Sequence, residues 1–524
     1  MMKQSALVGM VLALGLSAAV APAAEDVHEY LAWVPEDAPA VFVVPDVPTM
    51  KKQLEASGLK AFLDDALTQG PPQQIRQAVS EFYQALSGRL VYVHYAGKAP
   101  LVLADVRPNS PFAKGIRPGG QLAGMPLKPL APNLYDLAPQ GRSAGFIFCD
   151  GKHLRCAPDR SLAADPLRAP GRKLTASEGF KATFARLDAK GGVRVYVPKP
   201  LALLPEPDDG PPQRPERAFK VLGLRFVRAL LELDRFGAAA LRLDIGDGIH
   251  VEQVVQMKGL TPGGEPRLAI LSRVPGGSVA ALAGRCRSFA SACGRLRRAM
   301  KAVDKEISDE FDEELAEVNR ELGFDFEKAF LTNLGREWAF TRDAKGSWAL
   351  LFTVKDRETF LRHATALAKF GGEPWTPATL HGKPVFRTRA YTVPLVVAFA
   401  GDVCILSSSD DTLTACRQEP APAATLATTK PFERAPLRGE SLASVAFWRP
   451  LADPQVGKFL REEAPVALRP VMQIIPSEAV LWVRVDEGTG YRRARMGTAG
   501  LTGDHLRTIV RDVLRPALDL PGGR

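Results

Sequence analysis

A long-range internal repetition constrains this chain more than any other feature. The run "GGVRVYVPKPLA" at 191–202 returns as "SLASVAFWRPLA" at 441–452. Three further segments return in the same order. "WVPEDAPAVFVVPD" at 33–46 is answered by "RVPGGSVAALAGR" at 273–285, with Pro35 on Pro275. "FIFCDGKHLRCAPDRSLAA" at 146–164 is answered by "VAFAGDVCILSSSDDTLTA" at 397–415, with Phe148 on Phe399 and Asp159 on Asp410. "AALRLDIGDGIHVEQVVQMKG" at 239–259 is answered by "VLWVRVDEGTGYRRARMGT" at 480–498, with Asp244 on Asp486. Chance matches do not keep order and spacing together. The pattern predicts duplication of a unit much larger than a solenoid repeat, with unit one at 24–272 and unit two at 273–503. The Pro-rich stretch "LPEPDDGPPQRPE" at 204–216 belongs to the first unit alone. It reads as an exposed loop, because proline at this density disfavours helix and central strand.

Local patterns set the expected fold class. Each unit opens on a strand of the type "AVFVVPD" and continues into amphipathic helix. In unit two, Met300, Val303, Ile307, Phe311, Leu315, Val318 and Leu322 recur at three and four residues, which predicts one helix lying on a core. "RLVYVHYAG" with "APLVLADVR", and "EWAFTRDAKGSWALLFTVKD", predict paired strands. "RETFLRHATALAKF" predicts a helix, and Asp159 and Asp410 are expected to cap short ones. Hairpins and short loops favour antiparallel sheet, so the expectation is α+β: two homologous units with mainly antiparallel sheets and helices packed on one face. Residues 504–524 read as a separate C-terminal amphipathic helix. Leu506, Val510, Val513 and Leu514 form its apolar face, and Arg507, Arg511 and Arg515 a basic one. Such a helix either docks on the body or lies on an anionic membrane surface.

The N-terminus carries an export signal. Lys3 is followed by the uncharged apolar run "ALVGMVLALGLSAAVA", and Ala21-Pro22-Ala23 matches a small-x-small cleavage site, which assigns 1–23 to a signal peptide. No cysteine sits at the site, so a lipoprotein is not expected; an uncleaved signal anchor is the competing reading. The mature chain is expected in the periplasm or outside the cell. A net charge of +10 bears on solubility and steering rather than on fold.

Six cysteines in an exported chain permit three disulfides. In "FCDGKHLRC" a two-residue turn at Asp150-Gly151 would set Cys149 opposite Lys152 and Cys156 opposite Gly145, leaving the sulfurs roughly 13 Å apart along the strands and unable to join. Cys286 and Cys293 on one continuous helix fail by the same test, at about 10 Å. Cys404 and Cys416, on a strand and the following helix, form the favoured pair.

The opening from Pro35 to Val44, with "LGFDFEKAFLTNLGREWAF" and "GDVCILSSSDDTLTAC", resembles an uncharacterised family of exported bacterial proteins that carry a domain of unknown function. The resemblance implies a large envelope or secreted protein of α+β type. It brings no catalytic residues.

Candidate chemistry is sparse. Ser57 and Lys60 fit S-x-x-K, in which lysine activates a serine nucleophile, but the companion S-D-N and K-T-G elements are absent. Asp244, Asp247 and His250 could approach a cation, yet the stretch lacks the acidic spacing and closing glutamate of a calcium loop, and its partner in unit two keeps only the turn chemistry. Arg285, Arg287, Arg295, Arg297 and Arg298 could meet a polyanion, but neighbouring carboxylates weaken the field and no interleaved aromatics support base stacking, so nucleic acid is not expected. His28, His94, His153, His250, His363, His381 and His505 show no helical zinc spacing, and no C-x-x-C, Walker loop or G-x-S-x-G occurs. No catalytic, cofactor-binding or metal residue is assigned, and no cofactor. The leading expectation is a non-enzymatic exported protein that binds an unknown protein or small ligand at the envelope, in a cleft between its lobes. The alternatives are a hydrolase with a site assembled across the chain, and a peripheral membrane-surface protein using the C-terminal helix.

Overall fold

The computed structural model describes residues 27–57, 60, 73–95, 99–122, 124–137, 143, 145–166, 171–187, 192–200, 226, 232–246, 248–262, 267–371, 374–390, 393–418, 441–453, 457–459, 462 and 474–509. The export signal, the insertion 204–216, Asp247 and positions 510–524 fall outside them.

Strands dominate. In the first half they are β1 (Val41–Val44), β2 (Leu86–Val93), β3 (Leu101–Val106), β4 (Gln121–Leu122), β5 (Met125–Ala131), β6 (Leu134–Leu137), β7 (Gly145–Cys149), β8 (His153–Ala157), β9 (Val193–Val197), β10 (Phe236–Gly246) and β11 (Gly248–Met257). The second half supplies β12 (Ala280–Arg285), β13 (Leu334–Arg342), β14 (Trp348–Val354), β15 (Thr376–Leu380), β16 (Lys383–Ala390), β17 (Val393–Ala400), β18 (Val403–Ser407), β19 (Ser441–Trp448), β20 (Val480–Gly488) and β21 (Tyr491–Ala499).

Pairing in the first half runs β5-β6-β7-β8-β3-β2-β1-β9-β10-β11, every neighbour antiparallel, with β4 against β5. In the second half it runs β15-β16-β17-β18-β14-β13-β12-β19-β20-β21. Strand for strand the two orders are the same. Both also place an irregularity early in the second strand, between Leu86 and Leu90 in β2 and between Leu334 and Trp338 in β13.

Two separate α+β units are nevertheless not what forms. β11 and β21 pair from His250↔Gly497 to Gln256↔Tyr491, so the strands of both halves join in one large antiparallel sheet. The reason lies in the backbone. Each of these strands closes a long hairpin and would otherwise present a row of unpaired N–H and C=O groups along an edge. Joining the two rows satisfies both, and it replaces the expected cleft between lobes with continuous sheet.

Helices cover both faces rather than one. Alternation along the strands sends Val43, Val91 and Leu103 to one face, here termed near, and Val44, Leu90 and Ala104 to the other, termed far. The near face packs against Tyr30, Leu31, Phe180 and Phe184, the far face against Val47, Met50, Leu54 and Phe112. In the second half, Ala283, Ala339, Leu351 and Ile405 pack with Leu271 and Leu413 on the near side. Val397, Phe399 and Cys404 pack with Leu331 and Phe360 on the far side.

The stripe from Met300 to Leu322 belongs to two helices, Phe289–Val303 and Lys305–Leu322. Asp304 separates them with extended backbone and caps the second by accepting from the Glu306 amide at 2.8 Å. Ile307 is left exposed by the break. The helix Asp410–Arg417 is capped by Ser409, not Asp410; Ser409 Oγ accepts from the Thr412 amide at 3.2 Å. Arg357–Phe370 is helical and capped by Asp356.

The irregularity in β2 anchors the N-terminal segment. Asp105 Oδ2 accepts from the Arg89 amide at 2.8 Å and from Arg89 Nε at 2.9 Å, while Tyr30 donates to Oδ1 at 2.6 Å. A Cβ on Gly88 would lie 2.5 Å from that carboxylate, so the close approach requires glycine. Burial pushes the Asp105 carboxyl up, but the hydrogen bonds from Arg89 and Tyr30 outweigh it and hold the group below the ordinary carboxylate value.

Candidate functional site

The centre of the sheet reverses the usual rule of apolar inside and charged outside. On the near face, directly opposed residues run Arg194, Arg242, Glu252, Arg495 and Arg484 across β9, β10, β11, β21 and β20. Most of these side chains are withdrawn from solvent. Arg194, Glu252, Arg484 and Arg493 are buried, as are Asp244 and Asp486.

Ion pairs account for their burial. Asp486 accepts from Arg484 Nε at 3.0 Å and from Arg495 Nη2 at 2.5 Å. Glu252 lies 3.2 Å from Arg493 Nη1 and 3.7 Å from Arg242 Nη1, and Arg242 also bonds Asp244. The segment 178–187 closes over part of this row: Arg493 donates to the Arg186 carbonyl at 2.9 Å, and the Arg186 guanidinium stacks 4.1 Å above the Tyr491 ring. Beyond the ladder, His250 and Trp482 flank Gly497, where a Cβ would fall 2.5 Å from His250 Nδ1.

On the far face of the same strands one row is apolar from end to end. Directly opposed residues read Val193, Leu243, Val251, Met496, Val483, Ala446, Leu282, Phe340, Leu350 and Leu406 across β9, β10, β11, β21, β20, β19, β12, β13, β14 and β18. Helices cover the two ends of this row, Val193 packing in the far cluster of the first half and Leu406 in that of the second. The middle is open: Leu282 and Leu481 are 42% exposed, Trp448 39% and Met496 37%. A contiguous exposed apolar patch on a sheet is a hallmark of an interaction surface.

The candidates suggested by the sequence lie elsewhere or are engaged. Ser57 ends the helix Val47–Ala56, its Oγ donating to the Leu54 carbonyl at 3.3 Å. Asp244 belongs to the ion-pair ladder, with His250 opposite it across the hairpin. Of the five arginines, Arg285 pairs with Glu337, Arg297 with Asp312 and Glu327, and Arg298 with Glu232, while Arg287 reaches Thr261. Three of the five are thus paired with carboxylates, which weakens any common cationic surface.

The cysteines depart from expectation. Cys149 stands opposite Leu154 and Cys156 opposite Ile147, because the hairpin loop runs from Asp150 to His153 rather than through two residues. Asp150 Oδ1 accepts from the Lys152 and His153 amides and stabilises that longer turn. Cys404 and Cys416 do not pair: Cys404 packs with Phe360 and Phe399 on the far face, Cys416 with Leu413 and Ile405 on the near one. The sheet lies between them. All six thiols are free.

At the C-terminus, the helix Gly503–Ile509 rests on the far face beside the open strip. Leu506 is buried with Ile245 against Leu243 and Ile249, and Arg507 donates to the Ala56 carbonyl at 2.8 Å.

No helix among the described residues is long and apolar enough to cross a membrane, and no group of histidine, cysteine and carboxylate side chains among them is arranged to hold a metal. No protein-family model, curated protein or solved structure matches this chain.

Proposed function

We propose that this is an exported, non-enzymatic binding protein whose partner or ligand in the envelope, or outside the cell, docks on the far face of the sheet. The carrying observation is the inversion at its centre. Leu282, Trp448, Leu481 and Met496 stand in solvent while Arg484 and Asp486, on the reverse of the same strands, are buried. The apolar run at 6–21 with its Ala21-Pro22-Ala23 site supports export.

Magnitudes indicate how much of the row a partner must cover. Removing the exposed portion of four such side chains from water gives roughly 1 kcal/mol each. Association costs about 4–15 kcal/mol in lost freedom. A partner that bound only those four would not hold, so the surface must extend over half-buried neighbours such as Phe340, Leu350 and Val251.

The test uses an apolar reporter dye, 1-anilinonaphthalene-8-sulfonate, with the mature protein and a Trp448→Lys, Leu481→Lys variant, fold being checked by near-ultraviolet circular dichroism. The variant should lose most of the dye fluorescence while keeping its fold. Equal fluorescence from both proteins would remove the far face as the binding surface.

A further inference from the structure

The seam between the halves has its own symmetry. Within the first closing hairpin Arg242 faces Glu252, and within the second Arg484 faces Arg495. The triplets Arg242-Leu243-Asp244 and Arg484-Val485-Asp486 hold the same position on β10 and β20, and in each the arginine clasps the aspartate two residues on. Glu252 and Arg495 therefore occupy equivalent places in the two halves. The β11–β21 register sets those two residues opposite each other, with Val251 on Met496 and Gln253 on Ala494 to either side. Equivalent positions face each other only where a two-fold axis passes, so a pseudo-two-fold runs through this pair.

We infer that the centre of the sheet is a fused dimer interface in which Glu252 and Arg495 determine which edge strand pairs with which. An unfused symmetric pair would place one residue type against itself here, and like charges directly opposite destabilise a ladder. In this chain the two copies have diverged to opposite sign. β11 then accepts β21 of its own chain, whereas β11 meeting β11 of a second copy would set glutamate on glutamate, and β21 meeting β21 would set arginine on arginine. Partner choice by such repulsion is a general device against edge-to-edge association.

The surroundings make the exchange testable. Glu252 is held by Arg242 and Arg493, and Arg495 by Asp486 with Arg484 opposite. Reversing both charges exchanges the two roles: an arginine at 252 meets Asp244, though beside Arg242 and Arg493, and a glutamate at 495 meets Arg484. Two positions depart from the exchange: His250 stands at the place of Arg493, and Val445, opposite Arg484, stands at the place of Arg194, opposite Arg242.

Full-length mature Glu252→Arg, Arg495→Glu and the double variant are compared with the native protein by thermal unfolding and by light scattering on a sizing column. Each single reversal should lower the midpoint by several degrees and shift material to larger species. The double variant should recover part of that loss and elute as the native protein does. A double variant no more stable or uniform than the worse single, or one that fails to fold, would overturn the inference.

Discussion

Asp486 and Arg484, two residues apart on β20, form an ion pair at 3.0 Å with neither side chain open to solvent, and Arg495 joins the same carboxylate from β21. Neutralising the carboxylate leaves two guanidinium groups in a buried setting without their counter-charge. Breaking a buried pair from one side typically costs about 3–5 kcal/mol. Asp486→Asn should therefore lower the unfolding free energy by that order, read from urea denaturation. A change below about 1 kcal/mol would mean that the ladder contributes little to the junction.

Gly497 sits between His250 and Trp482, and a methyl there would meet His250 Nδ1 at 2.5 Å and Trp482 Cζ2 at 2.9 Å. Overpacking of this kind costs about 1–3 kcal/mol. Gly497→Ala should destabilise the fold by that amount, and adding His250→Ala should recover part of it. Additive losses in the double variant would place the strain elsewhere.

Much of the local structure is legible in the sequence. The hairpin over "EWAFTRDAKGSWALLFTVKD" forms as β13 and β14, with Arg342 opposite Trp348, because alternation and a tight polar turn are local signals. The joining of β11 to β21 is not legible: pairing between strands so far apart in sequence leaves no periodic trace. The orientation of the central strands is also hidden. In Leu241-Arg242-Leu243-Asp244 alternation shows that two kinds of residue take opposite faces, and burial of the leucines is the ordinary expectation. Here Asp244 is buried and Arg242 nearly so, since the two pair with each other and Glu252 on β11 joins Arg242. The open far-face strip was missed for the same reason. Its sequence signal was faint, since Gln253, Glu487 and Arg492 interrupt the apolar residues on that side of β11, β20 and β21.

The thiols follow from burial. Desolvation pushes Cys156 and Cys416 up to about 12, and Cys404 higher still, so their reactive thiolate forms are scarce at neutral pH. Cys286 is also raised by burial, but Arg295 and Arg336 partly offset it. Ellman's reagent at pH 8 should label Cys286 well before Cys156, Cys404 or Cys416 in the folded protein, as mapped by peptide mass spectrometry. A Cys404–Cys416 crosslinked peptide would contradict the packing of those residues on opposite faces.

Lys51 supplies a pH-dependent contribution to stability. Its ammonium donates to the Leu86 carbonyl at 2.9 Å and lies 4.8 Å over the Tyr83 ring. Burial, with repulsion from Arg107, lowers its pKa from 10.5 to about 8. Folding therefore favours the neutral amine. Below pH 8 both folded and unfolded chains carry the proton, and the folded state bears the full penalty of a desolvated charge. Between about pH 8 and 10.5 the unfolded chain binds more protons than the folded one, so this residue makes stability rise with pH. Above that window the contribution is constant. Urea midpoints for the native protein and Lys51→Met, taken from pH 7 to 10.5, should show the difference between them shifting in favour of the native protein as pH rises. A difference that stays flat, or shifts the other way, would place the Lys51 ammonium in a solvated setting.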